Sequence, residues 1–163
     1  MDRIHSMDRT GVVGSQMRNA APTAIFFFNL FILSIPVDFV LAQSRPYTPK
    51  PGDPERKAIT DALRSPVEKE LKKRVIFKID HLKVHNGWAF LRGVPLQSDG
   101  KPMSYKGTPH QQAIDEGAFD DGVCALLRKD GTEWRVVTYV IGATDVPYVE
   151  WDKEYKAPSA IFK

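Results

Sequence analysis

Val75-Ile76-Phe77-Lys78-Ile79-Asp80-His81-Leu82-Lys83-Val84-His85-Asn86-Gly87-Trp88-Ala89-Phe90-Leu91-Arg92-Gly93-Val94-Pro95-Leu96 reads as two strands joined by a tight turn. β-branched and aromatic residues fill both halves, and Asn86-Gly87 supplies the two residues that tolerate positive φ in a two-residue hairpin loop. In the first half, Val75, Phe77 and Ile79 share one parity, whereas Leu82 and Val84 share the other. Successive strand side chains point to opposite faces, so an unbroken strand would turn one of these sets outward. One extra residue restores a single apolar face, which predicts a bulge near Asp80-His81. The second half, Trp88 to Leu96, places Trp88, Phe90, Val94 and Leu96 together.

Upstream, Asp53-Pro54-Glu55 opens a helix, with Asp as N-cap, Pro in the first turn and an acid near the positive end. Ala58, Ile59, Ala62, Leu63, Val67 and Leu71 recur at helical spacing and mark its buried stripe. Pro66 interrupts it, and Ser65-Pro66-Val67-Glu68 has the form of a capping box, so a kink and a second short helix are expected. Gln43 to Gly52, with Pro46, Pro49 and Pro51, reads as an extended or disordered arm. Downstream, Gln97 to Gly117 is polar, with room for a short helix over Gln111 to Glu116. Strand three runs from Gly122 to Lys129, Asp130-Gly131 turns, and strand four follows from Glu133 to Ala143. Strand four has Trp134, Val136, Thr138 and Val140 on one face and Val137, Tyr139 and Ile141 on the other, a pattern expected of a strand covered on both sides. Asp145 is expected to cap a last short helix carrying Tyr148, Trp151 and Tyr155, ended before Pro158.

The fold class is therefore α+β: an N-terminal kinked helix packed on a curved four-stranded antiparallel sheet, with a short C-terminal helix, in one domain over residues 53–163. This order resembles the cystatin-like superfold, which includes the nuclear transport factor 2-like proteins. The string Gly87-Trp88-Ala89-Phe90, Leu126-Leu127-Arg128, Gly131, Trp134-Arg135-Val136-Val137, Gly142, Thr144-Asp145, Trp151, Tyr155 and Ala157-Pro158 also resembles small exported bacterial proteins of unknown function. That likeness spans most of the chain after residue 42 and implies no activity. Members of the wider superfold form a conical pocket for small apolar ligands, and a few use it for catalysis, so the resemblance alone assigns neither role.

The first 42 residues have the form of an export signal. Arg18 is the last cation before Ile25 to Ile35, an apolar run of 11 residues without a charge. That length suits the apolar core of a signal peptide and falls short of the roughly 20 residues that span a bilayer. Val40-Leu41-Ala42 offers a signal-peptidase site, placing the cut after Ala42 and before Gln43. Met17-Arg18-Asn19 has the form of an ordinary short basic start, so translation is expected to begin at Met17. An uncleaved anchor is the alternative, with 19 uncharged residues from Asn19 to Val37. Pro22, Asn29, Pro36 and Asp38 are unfavourable in hydrocarbon and oppose it. No Cys follows the cut to carry a lipid, Cys124 is the only cysteine, and no Asn-x-Ser/Thr sequon occurs. These features fit a bacterial periplasmic protein.

Without residues 1–42 the chain keeps 20 Lys/Arg against 17 Asp/Glu, a balance of +3 that gives no reason to expect nucleic acid. Lys69, Lys72, Lys73 and Arg74 are the densest basic patch and suit the negative end of a helix. His81 and His85 have helical ligand spacing, yet on a strand four residues span about 13 Å, too far for one metal ion. Asp80 and His81, at the expected bulge, are the best acid–base candidates, though a surface-turned pair that tolerates a bulge is the favoured reading of them. Asp120-Asp121-Gly122 needs only be an acidic turn. Cys124 sits in an apolar strand with no adjacent cation, which marks a core thiol rather than a nucleophile. No phosphate loop or hydrolase motif is present, and no cofactor or metal is expected.

The leading expectation is an exported, non-catalytic binding or interaction domain for a small apolar ligand or a protein partner, with a homodimer through the sheet as one arrangement. Its binding surface would be a hollow between helix and sheet, or the sheet's open face, with Trp88, Tyr105, Tyr139, Trp151 and Tyr155 as contact residues. Core packing is the plainer role for those rings. The rival is a small-pocket enzyme with Asp80 or His81 as base and Tyr105 or Tyr139 as donor. A third possibility is a passive envelope protein held by the export segment.

Overall fold

The computed structural model describes residues 45–163; the export segment, the Met17 start and the cut before Gln43 lie outside them. The elements, in chain order, are α1 (Pro54–Leu71), β1 (Ile76–His85), β2 (Trp88–Leu96), α2 (Gln111–Asp115), β3 (Val123–Asp130), β4 (Glu133–Ile141), α3 (Trp151–Glu154) and a closing 3-10 turn, Ser159–Phe162. The strands form one antiparallel sheet in the order β1-β2-β3-β4. It is the α+β arrangement expected from the sequence, a helix followed by a meander.

The hairpin β1–β2 forms as its residues dictate. Asn86 and Gly87 have φ of 50° and 73°, the two positive values a tight hairpin turn needs. Its ladder slips between Ile79 and His81, leaving Asp80 as the extra residue. Phe77 and Ile79 before the bulge, and Leu82 and Val84 after it, therefore meet the same core. Opposite the bulge stands Gly93, where a Cβ would lie 2.4 Å from the Lys78 carbonyl oxygen and 3.0 Å from the Ile79 Cα. Only a residue without a side chain lets the bulged strand approach so closely. Pro95 is tolerated because β3 pairs with β2 only as far as Gly93.

Helix α1 lays Ile59, Leu63, Val67 and Leu71 on one face of the sheet, against Leu82, Val84, Ala89, Leu91, Ala125 and Leu127. Those helical residues are at most 1% exposed, so side chains fill the expected hollow between helix and sheet. Ala58, expected in the stripe, is exposed. The helix also runs unbroken through Pro66, and no second helix restarts. Burial of Val67 and Leu71 beyond the proline offsets the lost backbone bond, which costs about 3 kcal/mol in a free helix. Glu68 is used elsewhere: its carboxylate accepts the Val75 N–H at 3.0 Å.

The other face of the sheet is not open. Phe90, Cys124 and Leu126 are covered by Trp151, Ala157 and Ile161, with Trp88, Val140, Tyr148, Tyr155 and Phe162 around them. The 3-10 turn after Pro158 was not expected, yet Ile161 is fully buried. The strand buried on both sides is β3, whose Val123 to Leu127 are all buried: Val123, Ala125 and Leu127 in the helix-side core, Cys124 and Leu126 under the C-terminal segment. Edge strand β4 has its own slip, between Leu126 and Leu127 of its partner, which leaves Val137 as the extra residue, 39% exposed. Trp134, Val136, Tyr139 and Ile141 consequently share the helix-side core, correcting the expected grouping.

Two further corrections concern the ends. The arm is fastened where Tyr47 exchanges two backbone bonds with Val84 (3.0 and 2.8 Å), its hydroxyl donates to Glu55 at 2.5 Å, and Arg56 donates to the Pro49 carbonyl at 3.1 Å. The Tyr47 pairing satisfies edge groups of β1 that water would otherwise take, so this stretch is not a free arm. At the other end Asp145 caps nothing. The helix starts six residues later, with Glu150 at its N-cap position.

Gly93→Ala should lower unfolding free energy by about 1–3 kcal/mol in urea titration, since the added methyl meets backbone that cannot yield. Ile161→Ala should cost about 2–5 kcal/mol by the same measurement if the C-terminal segment forms a second core. A cost below about 0.5 kcal/mol would show a loosely held flap.

Candidate functional site

The bulge decides where the polar side chains of β1 go. It puts Asp80 and His81 next to one another on the face away from α1. Counting pairs outward from the Asn86-Gly87 turn brings Arg92 beside His81. Arg92 Nε donates to Asp80 Oδ2 at 2.8 Å, and Arg92 Nη1 donates to the Tyr148 hydroxyl at 3.0 Å. The Asp80 carboxylate, then the Tyr148 hydroxyl, raise the guanidinium pKa further above its ordinary range.

These groups line a cleft of about 330 Å³ at the end of the sheet. Val94, Cys124 and Val140 form apolar surface within it, and the loop carrying Asp145, Val146 and Pro147 closes one side. Asp120 also lines it, one carboxylate oxygen accepting the Gly122 N–H at 2.9 Å. Three carboxylates and one guanidinium thus line the cleft, with Asp80 the one paired to Arg92. The cleft offers an oriented cation, surplus negative charge and an apolar floor.

His81 points elsewhere. Its Nε2 lies 2.8 Å from the Ile161 carbonyl oxygen, so that nitrogen carries the proton and donates, while the ring packs 5.4 Å from Phe90. Asp80 and His81 are neighbours with separate partners. Both ring nitrogens of His85 are buried without a hydrogen-bond partner among the described residues. Tyr105 and Tyr139 belong to the opposite, helix-side core. The sheet therefore separates the expected base from the expected donors. Trp88, Trp151 and Tyr155 lie in the second core, with Trp151 edge-on to Phe90 at 6.2 Å and Arg128 stacked 5.2 Å from the Trp88 ring.

A second polar group was not legible in the sequence. Glu70 on α1 binds His110 Nε2 at 2.8 Å through one oxygen and accepts the Tyr139 hydroxyl at 2.6 Å through the other. His110 packs on Phe119 at 5.3 Å, and Tyr105 donates to the Asp121 carbonyl at 3.2 Å. From the basic patch, Lys73 donates to the carbonyls of Ser104 and Lys106. Together these contacts pin the polar 97–122 stretch to the helix and β4. Arg92, by contrast, could have been found by counting the hairpin register.

Burial pushes the Cys124 thiol up to about 11, with the Val140 backbone and the Arg92 charge acting in the opposite direction. Burial pushes Tyr105 up to about 12, helped by the charges of Asp121 and Asp120, and burial with Glu70 does the same for Tyr139. Among the described residues no group of three or more His, Cys, Asp and Glu is placed to hold a metal ion, and no helix is long and apolar enough to cross a membrane. No family model, curated protein or solved structure matches this chain.

The Cys124 thiol should be silent to a thiol reagent at about pH 8 in the folded protein and react fully in denaturant. Its folded pKa, about 11, lies above the ordinary value of 9.0, so its contribution is whole below about pH 9 and is lost as pH rises toward 11. Tyr105 and Tyr139 extend the loss from about pH 10 toward 12, which absorbance titration of the phenols will follow. Fast labelling of the folded protein would contradict the burial.

Proposed function

We propose that this protein is exported to a bacterial periplasm, is cut after Ala42, and holds a small ligand in the Arg92–Tyr148 cleft without chemistry of its own. The observation that carries this reading is the cleft itself. Arg92 is held from two sides by Asp80 and Tyr148 over an apolar floor, which is the mixture of a few placed polar groups and apolar surface that ligand sites use. The alternative hollow between helix and sheet is filled, and the opposite face is covered by the C-terminal segment.

The partners of the acid–base candidates favour binding over catalysis. Asp80 is engaged by a permanent cation, and His81 donates its Nε2 proton to a backbone carbonyl. The phenols that would have served as donors lie across the sheet. A general base needs its acceptor within reach of a substrate proton, with its donor on the same side. The cystatin-like resemblance, which rests on the order of elements alone, is to a scaffold whose members include ligand binders.

Native mass spectrometry of the protein purified gently from the periplasm tests the reading, with N-terminal sequencing of the same sample. The expected result is a chain starting at Gln43 that carries an extra mass, lost on denaturation and lost in Arg92→Ala. A bare chain would overturn the ligand reading, and an intact export segment would overturn the cut.

A further inference from the structure

We infer that the cleft ligand is a small zwitterion with an apolar side chain, of the size of a free apolar amino acid. This rests on the reading of the cleft as the ligand site. Its volume, about 330 Å³, lies at the bottom of the range of roughly 300–1,000 Å³ seen for small-molecule sites, which suits a compact molecule better than a lipid or an oligomer.

The charges specify both ends. Arg92 uses Nε on Asp80 and Nη1 on Tyr148, and its Nη2 has no partner among the described residues. Two of its five N–H groups are used, so the two on Nη2 and the second on Nη1 remain to donate to a carboxylate. Asp80 already balances the Arg92 charge, which leaves Asp120 and Asp145 as the surplus. Asp145 has no hydrogen-bond or ion-pair partner among the described residues, and Asp120 spends one oxygen on the Gly122 N–H. A ligand with a carboxylate alone would meet this surplus unpaired, and one with an ammonium alone would leave the Arg92 end unused. A zwitterion satisfies both. Val94, Cys124 and Val140 offer aliphatic and thiol surface, which takes an apolar side chain.

Calorimetric titration of the exported protein with L-leucine, L-leucinamide and 4-methylpentanoate tests the assignment, using Arg92→Gln and the double variant Asp120→Asn/Asp145→Asn beside the native chain. Leucine should bind at least about tenfold more tightly than either analogue, a loss of about 1.4 kcal/mol for each missing charge. Arg92→Gln should erase the advantage over leucinamide, and the double Asn variant the advantage over 4-methylpentanoate. Asn can still accept the Gly122 N–H, and all three positions are exposed, so these variants should fold, as circular dichroism will show. Equal binding of leucine and leucinamide would overturn the carboxylate assignment, and equal binding of 4-methylpentanoate the ammonium assignment. A retained native mass that none of the three displaces overturns the zwitterion while the cleft stands. No retained mass and no binding overturns both.

Discussion

Between β1 and β2 the backbone of Lys78 and Ile79 presses against Gly93, so closely that a single methyl group would not fit. That approach is what lets Asp80 leave the ladder. Without the bulge, either Phe77 and Ile79 or Leu82 and Val84 would face away from α1, and the helix would have half a surface to bury against. With it, both sets serve one core. The same displacement leaves Asp80 and His81 consecutive on the far face, one turned to Arg92 and the other to the C-terminus. The packing of the helix and the shape of the cleft thus depend on one close contact of backbones.

The two faces of the sheet are asymmetric in construction. On one, a long helix supplies regularly spaced aliphatic side chains, and Glu70 adds a polar clasp to β4 and the 97–122 stretch. On the other, a nearly irregular segment does the same work with rings. Phe90 is its hub, 4.7 Å from both Tyr148 and Phe162 and 6.2 Å from Trp151. Rings bury much area per residue, so a few fixed by short turns can close a face that a helix would otherwise need to cover. Tyr148 belongs to both systems, with its ring on Phe90 and its hydroxyl on Arg92, which couples the cleft wall to the second core.

Where the sequence misled, a local rule met a tertiary one. Pro66 ends a free helix, but the residues on either side of it are held on the sheet, and the helix continues. In β4 the parity change at Val137 was hidden because both candidate faces are apolar; in β1 it was visible because the polar Lys78, Asp80 and Lys83 mark the alternation. Asp145 has the residue type of a cap but lies in a turn ahead of the helix, at the cleft. The proline-rich arm reads as free because proline lacks a donor, yet Tyr47 between two prolines has one and uses it on Val84.

Neighbours along the chain are enough to set the helix from its periodicity, the hairpin from Asn86-Gly87, the β1 bulge from a change of parity, and the order of elements. Those features depend on side-chain period and turn chemistry, which act over a few residues. The pairings across long separations arise on folding: Arg92 with Tyr148 56 residues on, His110 with Glu70 40 residues back, and His81 with Ile161 80 residues on. Folding also closes the second face with the aromatic C-terminus. Such contacts come from two elements meeting once the core has set their distance, and no local period records which elements those will be.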